Sequence, residues 1–218
     1  DRLVSRGLGD VYKRQDIRLA GGGRKHVQCG ALAVSGGWNP NVHLTCHHRG
    51  RPAWQDDICA FVPGEGVPPG MAVAGAARGV FSTAGTIGDG QAQAIAQLAE
   101  IGIAAVADTL PEAEDAPVRV TPLWHVPGKK RAWLDQQNDV TVKDVKLAHQ
   151  ENFRAVEHLK RYTTLGMAGD QGRTSNVLGL AIMAELTGKS IAETGTTIYR
   201  PPYTLSLIHI SEPTRHKT

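Results

Sequence analysis

A run of small residues offers backbone amides to an anionic ligand. Gly75, Ala76 and Ala77 follow a short apolar stretch, and more small residues, 82–85, precede a segment with helical periodicity. Small side chains between the end of a strand and the start of a helix let main-chain N–H groups and the helix dipole approach a phosphate or a flavin ribityl chain. The alternative is a strand end that only packs on a helix.

A second candidate for anion binding is the loop 166–173, with the sequence GMAGDQGR. Gly172 and the start of the following helix supply amides, and Arg173 supplies a positive charge. Lys160 and Arg161, at the end of the preceding helix, need no ligand because the negative end of a helix dipole stabilises cations there. The loop is also explained if it only caps the two helices that it joins.

Cys46-His47-His48 contains metal-ligating residue types, but the spacing argues against a metal. Adjacent histidines point away from each other, and no second ligand pair stands nearby at zinc spacing. We therefore expect a polar surface loop. With Cys29 and Cys59 the cysteines are odd in number and lack CxxC spacing, which makes a disulfide framework unexpected and a reducing cytoplasm the default.

No constellation for covalent or acid–base catalysis is visible in the sequence. A Ser/His/Asp triad, an activated cysteine and a pair of carboxylates at catalytic spacing are all missing. We therefore assign no catalytic residue.

Three short helices are predicted between Trp133 and Gly188. Val142, Val145 and Ala148 fall on one helical stripe, and apolar residues recur every three positions from Phe153 onward. Capping patterns also predict a fourth, one-turn helix. The residues expected to begin or end these helices are Thr141 with Asp144, Gly166, Thr174 or Ser175, Gly188, and Ser190 with Glu193.

The preceding part of the chain has an α/β pattern. Val27–Ser35 is continuous enough in apolar residues to predict a buried parallel strand, and a glycine turn follows it. Met71–Ala74 predicts another short strand, and residues 89–100 predict a helix. The Gly-x-Gly-x-x-Gly phosphate loop is absent, so any dinucleotide site here is partial.

The two ends of the chain resemble translated sequencing-adaptor read-through. These ends, residues 1–15 and 204–218, carry six Lys or Arg and three Asp or Glu, and without them the totals fall from 24 and 21 to 18 each. A basic patch for nucleic acid or anionic lipid is therefore not predicted. The sequence also lacks an apolar run long enough for a membrane span, and it lacks a signal-peptide pattern.

The helical stretch resembles the bacterioferritin-associated ferredoxin-like module, through the sequence KRYTT and the pattern Gly-Met-x-x-x-Gln-Gly-Arg. That module holds a [2Fe–2S] cluster with four cysteines. Aligned on Val140-Thr141 and on the Gln-Gly-Arg sequence 171–173, the ligand positions fall on Asp135, Gln137, Asp170 and Ser175. Because such clusters need thiolates, this copy is expected to bind no iron–sulfur cluster.

A denser resemblance is to the alpha subunits of heterotetrameric sarcosine oxidases. It is carried by the sequences NDVTVKD (138–144), EHLKRYTTLGMA (157–168) and TGTTIYRPPYT (194–204), and it extends over roughly residues 27–203. The resemblance implies a fold class of α/β plus all-α. It comprises the C-terminal part of a Rossmann-like FAD/NAD-binding domain, followed by a small cluster-free ferredoxin-like helical module.

The resemblance also implies domain limits and ligands. The partial dinucleotide-binding domain is expected at 16–107, a linker at 108–132 and the helical module at 133–203, with 1–15 and 204–218 as artefacts. The implied cofactors are NAD at a partial site, FMN and FAD in the full complex, and tetrahydrofolate on a C-terminal domain missing here. The residues expected to line the NAD site are Gly75, Ala76, Phe81 and Thr83.

The implied enzyme oxidises sarcosine to glycine, transfers a one-carbon unit to tetrahydrofolate and forms hydrogen peroxide in the cytoplasm. Its implied partners are beta, gamma and delta subunits, and Arg173 is a candidate contact for a flavin phosphate at the beta-subunit junction. The fragment alone is expected to be inactive. The alternative function is a non-catalytic ferredoxin-like interaction or electron-transfer module of another amine or opine dehydrogenase complex.

Overall fold

The computed structural model divides the chain into two compact units, Asp1–Trp38 and Asn39–Thr218. No helix in the described part is both long and apolar enough to cross a membrane. The domain limits predicted from the sequence stay predictions. The structure describes residues 2–4, 15–18, 22–31, 33, 37–115, 120–128 and 130–199.

The first unit contains a three-stranded antiparallel sheet. Its strands are β1 (Arg2–Val4), β2 (Gln15–Arg18) and β3 (Arg24–Val27), in the order β1-β2-β3. The predicted buried parallel strand Val27–Ser35 is wrong where the structure describes it. The strand ends at Val27, pairs antiparallel with β2, and is followed by exposed or half-buried residues without strand structure.

The physical reason is the lack of neighbours. A parallel strand is stable when strands flank it and helices cover both faces of its sheet. Within the described part of the chain every strand pairing is antiparallel. Positions 32, 34 and 35 of the predicted strand lie outside the described residues.

The second unit begins with a short helical turn and a hairpin. A 3-10 helix spans Leu44–Cys46, and strands β4 (Ala53–Gln55) and β5 (Ala60–Val62) pair antiparallel. All three residues of β5 are buried. The prediction of a polar surface loop is wrong for Cys46, which is 2% exposed and whose thiol donates a hydrogen bond to the Val42 carbonyl oxygen at 3.3 Å.

Helix α1 (Thr83–Glu100) begins six residues earlier than predicted. The Ser82 hydroxyl caps it by accepting a hydrogen bond from the Gly85 N–H at 3.1 Å. Three glycines in the first half of the helix had hidden this start, because glycine weakens a helical pattern. The predicted strand Met71–Ala74 is also wrong: these residues form no strand and lead into a 3-10 helix, Gly75–Arg78.

The segment between α1 and the helical module is without helix or strand where it is described. The Trp124 indole packs against the core of the helical module and lies 6.3 Å from the Trp54 ring. Trp124 therefore docks on the helical module, whereas Leu123 is 52% exposed.

The helical module starts with a small hairpin that sequence reasoning missed. Strands β6 (Trp133–Asp135) and β7 (Val140–Thr141) pair antiparallel, and Asp139, with φ 55°, occupies the turn between them. The helices that follow are α2 (Val142–Gln150), α3 (Val156–Thr163), α4 (Asn176–Thr187) and α5 (Ile191–Thr194).

The capping predictions for this module are largely confirmed. Thr141 with Asp144 and Ser190 with Glu193 both form capping boxes, and Gly188 ends α4 in the left-handed conformation. The end of α3 differs, because Thr164 rather than Gly166 takes the left-handed cap position.

The core lies between α2, α3 and α4. Val145, Ala148, Leu159 and Met183 are fully buried there, and Leu134 and Val140 of the hairpin join them. The stripe predicted for α2 is therefore confirmed. This core fixes the position of the loop 166–173, from which Arg173 projects.

Candidate functional site

A cavity of about 170 Å³ lies where the start of the second unit meets the first turn of α4. Its wall combines a guanidinium, an imidazole, a phenol and two amides with apolar side chains. The residues that line it are Asn39, Pro40, Asn41, Val42, His43, Phe61, Arg173, Val177 and Tyr199. Such a mixture of apolar surface with a few polar groups is typical of small-ligand sites.

His43 forms one side of the cavity and is only 3% exposed. Its ring lies on the Tyr199 ring, with centroids 3.6 Å apart and planes inclined by 30°. Burial and the neighbouring Arg173 charge lower the pKa of His43 to about 4, against the effect of a hydrogen bond with the Gln171 main chain. His43 is therefore a neutral imidazole at physiological pH.

In contrast to the neutral His43 imidazole, Arg173 supplies a fixed positive charge to the cavity wall. Its Nη1 donates a hydrogen bond to the Asp170 carbonyl oxygen at 3.3 Å. Burial opposes ionisation of the Asp170 carboxyl, but hydrogen bonds from Thr174 and Gly172 and the Arg173 charge together lower its pKa. The loop thus holds Arg173 in place through its own main chain and an ionised Asp170.

Asn176, at the first position of α4, links the start of this helix to the segment that follows α5. Its amide Nδ2 donates to the Thr197 hydroxyl at 3.2 Å and to the Tyr199 hydroxyl at 3.4 Å. Burial raises the pKa of Tyr199, so its phenol is neutral. A side chain at Gly166 or Gly172 would overlap Asn176, which explains why both loop positions are glycine.

Of the four positions aligned with cluster ligands, Asp135 and Ser175 are both buried but differ in their hydrogen bonding. The buried Asp135 carboxylate accepts hydrogen bonds from the N–H groups of Gln137, Asn138 and Gly166, at 2.9, 3.1 and 2.9 Å. It thereby joins the β6–β7 hairpin to the loop 166–173. The Ser175 hydroxyl is fully buried and has no hydrogen-bond partner in the described part of the chain.

Within the described ranges, no three His, Cys, Asp or Glu side chains come together as a metal site would require. The three cysteines are free thiols. The expected absence of an iron–sulfur cluster stays a prediction, carried by the residue types at the four aligned positions.

The predicted NAD wall lies around the turn before α1. Gly75, with φ 62°, and Ala76 form the 3-10 helix, Phe81 is half-buried, and Thr83 is the first residue of α1. The Gly75 N–H donates to the Asp89 carboxylate at 2.8 Å. Arg173 belongs instead to the cavity beside His43.

The start of α1 already holds an anion from its own chain. The Asp115 carboxylate accepts hydrogen bonds from the N–H groups of Thr83 and Ala84, both at 2.6 Å. Burial acts to raise the pKa of Asp115, but these hydrogen bonds outweigh it and lower the pKa. A dinucleotide phosphate at these amides has to displace Asp115.

Sequence reasoning missed His43, Tyr199, Asn176 and Asp115. His43 stands between Val42 and Leu44 without a motif, and Tyr199 lies 156 positions further along the chain. The contacts that give these residues a role are therefore set by tertiary packing. Asn176, directly after the expected cap of α4, was the nearest to a recognisable pattern.

Comparison with known proteins agrees with the sequence resemblance. Residues 129–211 match the family model described as the sarcosine oxidase A3 domain. The sarcosine oxidase subunit alpha of Rhizobium meliloti (strain 1021) is 43% identical over 84% of this chain and 19% of its own length. The subunit alpha of Corynebacterium sp. (strain P-1) is 37% identical over 83% of this chain and 19% of its own length.

The fold is similar to that of the crystal structure of L-proline dehydrogenase from P. horikoshii. The TM-score is 0.71 with 19% sequence identity, over 97% of this chain and 44% of that chain. At this sequence identity the likeness shows the fold alone, which agrees with the predicted combination of strands and helices. Over most of its own length the chain is thus similar to sarcosine oxidase alpha subunits, and it spans about a fifth of the length of the curated relatives that it matches.

Proposed function

We propose that this chain is part of the large subunit of an enzyme that oxidises sarcosine to glycine at a flavin, with one-carbon transfer to tetrahydrofolate and formation of hydrogen peroxide. The observation that carries the proposal is sequence identity of 37–43% with sarcosine oxidase alpha subunits across most of the chain. The alternative of an electron-transfer module of another dehydrogenase complex is not favoured by these relatives.

The whole enzyme is proposed to work in the cytoplasm, with beta, gamma and delta subunits as partners. FMN and FAD belong to the complex, and tetrahydrofolate binds to a part of the enzyme outside this chain. No catalytic residue is assigned to this chain, and the chain alone is proposed to be inactive. Its contribution is to hold cofactors and subunits in place.

The cavity beside Arg173 is proposed as the contact for a flavin phosphate. Its volume of about 170 Å³ suits a phosphate-sized group, and Arg173 supplies the charge that such a group needs. When flavin is bound to the complex, it supplies the hydride-accepting chemistry. The residues of this chain only orient its phosphate end.

A proposal for NAD is that it binds at Gly75, Ala76, Phe81 and Thr83. The positive φ of Gly75 and the amides at the start of α1 support it, provided that Asp115 moves away. In the complete enzyme, Asp115→Ala should tighten NAD binding in a direct titration. Unchanged or weaker binding would place NAD elsewhere.

The flavin proposal is tested in the assembled complex by Arg173→Ala. Flavin content per complex, read from visible absorption after gel filtration, should fall while the subunit stays folded. Arg161→Ala, on the exposed face at the end of α3, removes the same charge away from the cavity and should leave flavin content unchanged. Normal flavin content with lowered stability in Arg173→Ala contradicts the proposal.

The proposed absence of a cluster has its own test. Anaerobic reconstitution of the chain with iron and sulfide should give no visible absorption band attributable to a cluster. A stoichiometric band would contradict the proposal.

A further inference from the structure

The cavity beside Arg173 brings a permanent cation and a neutral imidazole into the same small space. Arg173 and His43 both line it, and His43 is almost fully buried under the Tyr199 ring. A charge added to this space lies beside the buried His43 ring, so the imidazole responds to it more strongly than an exposed histidine would. The chemistry of the wall favours a negative ligand, because both groups interact better with an anion than with a cation.

We propose that this cavity binds a small tetrahedral oxyanion, of the phosphate monoester or sulfate type, and that His43 takes up one proton when the anion enters. The inference deepens the proposed flavin-phosphate contact and rests on the same cavity. It adds that anion binding and protonation of His43 are coupled.

The groups around His43 set the direction of the coupling. Burial and Arg173 disfavour the imidazolium, and His47 adds to that effect. Asp170 and the Gln171 main chain favour the imidazolium, and the Tyr199 phenol, on the ring face, stays neutral. Burial and the Arg173 charge outweigh Asp170 while the cavity holds no anion. An oxyanion reverses this balance because it offsets the Arg173 charge and offers the imidazolium a hydrogen-bond acceptor.

Thermodynamic linkage turns this reversal into a measurable pH dependence. The pKa of His43 is about 4 without the anion, and an opposite charge at close range raises a histidine pKa by roughly 1–3 units. Binding then becomes tighter as pH falls from neutral toward 5. For a rise of about 2 units, the affinity at pH 5.0 is roughly tenfold higher than at pH 7.5.

The probe for this coupling is sulfate, which stays a dianion from pH 5.0 to 7.5, whereas phosphate itself titrates in that range. Isothermal titration of the 218-residue chain with sodium sulfate at constant ionic strength should show the roughly tenfold tightening. Repeating the titration at pH 5.0 in two buffers of different ionisation enthalpy gives the number of protons taken up, which should approach one.

Matched variants locate the effect. His43→Asn should lose the tightening, so that its affinity for sulfate is the same at pH 5.0 and pH 7.5. His47→Gln should keep it, and Arg173→Ala should bind poorly at both pH values. A tightening that survives in His43→Asn, or proton uptake near zero in the wild type, overturns the proposal, as does sulfate binding that Arg173→Ala leaves unchanged.

A measurement on the wild type covers the case in which His43→Asn does not fold. The NMR titration midpoint of the His43 ring proton should move upward when saturating sulfate is added, and a fixed midpoint contradicts the coupling. If sulfate shows the coupling but Arg173→Ala leaves flavin content of the complex normal, the flavin assignment fails and the oxyanion site stands.

Discussion

Helices α4 and α1 are built on opposite principles. Seven of the 12 residues of α4 are buried, whereas none of the 18 residues of α1 is. Helix α4 is held by the core that α2 and α3 complete. Helix α1 is held at its start by the Ser82 cap and by the Asp115 carboxylate.

This difference in burial shows which of the two candidate sites lies in a stably packed part of the chain. A buried helix gains stability from apolar surface removed from water, and an exposed helix depends on caps and charges, which contribute less. The cavity beside Arg173 belongs to the well-packed region, so its geometry is fixed. The predicted NAD wall belongs to the exposed region, where a single carboxylate decides which amides are accessible.

The largest expected effect separates the two regions directly. Leu159→Ala removes a fully buried side chain from the core of the helical module and should lower the free energy of unfolding by about 2–5 kcal/mol. The same kind of truncation in α1, Ile95→Ala, should cost less than about 1 kcal/mol. Urea unfolding followed by circular dichroism measures both. Equal losses would show that α1 is also held by a packed core.

A smaller loss is expected at the junction of the core and the cavity. Asn176→Ala removes the donor that holds Thr197 and Tyr199 and leaves the buried Thr197 hydroxyl without it. We expect destabilisation of about 1–3 kcal/mol. Gln150→Ala, on the exposed end of α2, is the matched control and should be nearly neutral. A neutral Asn176→Ala variant would contradict the bridging role of this amide.

Ser175→Ala should act in the opposite direction. The Ser175 hydroxyl is buried without a hydrogen-bond partner in the described part of the chain, and it makes no capping bond to α4. Removing it eliminates an unpaired polar group and should stabilise the chain by up to about 1 kcal/mol. Urea unfolding of Ser175→Ala and of the wild type shows whether the free energy of unfolding rises or falls. Clear destabilisation would mean that the hydroxyl has a partner in the working protein.

The smallest expected effect is local to α1. Asp115→Ala should speed hydrogen exchange at the Thr83 and Ala84 amides with little change in global stability, because Asp115 is exposed. Since the pKa of Asp115 is lowered in the fold, the contact is present at neutral pH and is lost as pH falls through that lowered value. Glu114→Ala is the control. Unchanged exchange at both amides would show that Asp115 does not cap α1.

The amino-acid sequence by itself determined the helices of the module and the similarity to sarcosine oxidase alpha subunits. Capping boxes at Thr141 and Ser190, the glycine that ends α4 and the α2 stripe were all predicted from residues close together in the chain. Such patterns are local, and local hydrogen bonds enforce them in nearly any surrounding. The predicted strands at 27–35 and 71–74 failed because a strand depends on partners that a local pattern cannot supply.

Only the tertiary structure decided the candidate site. His43, Arg173 and Tyr199 meet because the start of the second unit, the loop before α4 and the segment after α5 pack together. The same packing buries His43 and places it beside a guanidinium, which is what makes its imidazole neutral. Burial and charge proximity are properties of three-dimensional neighbours, so no spacing in the sequence could have shown them.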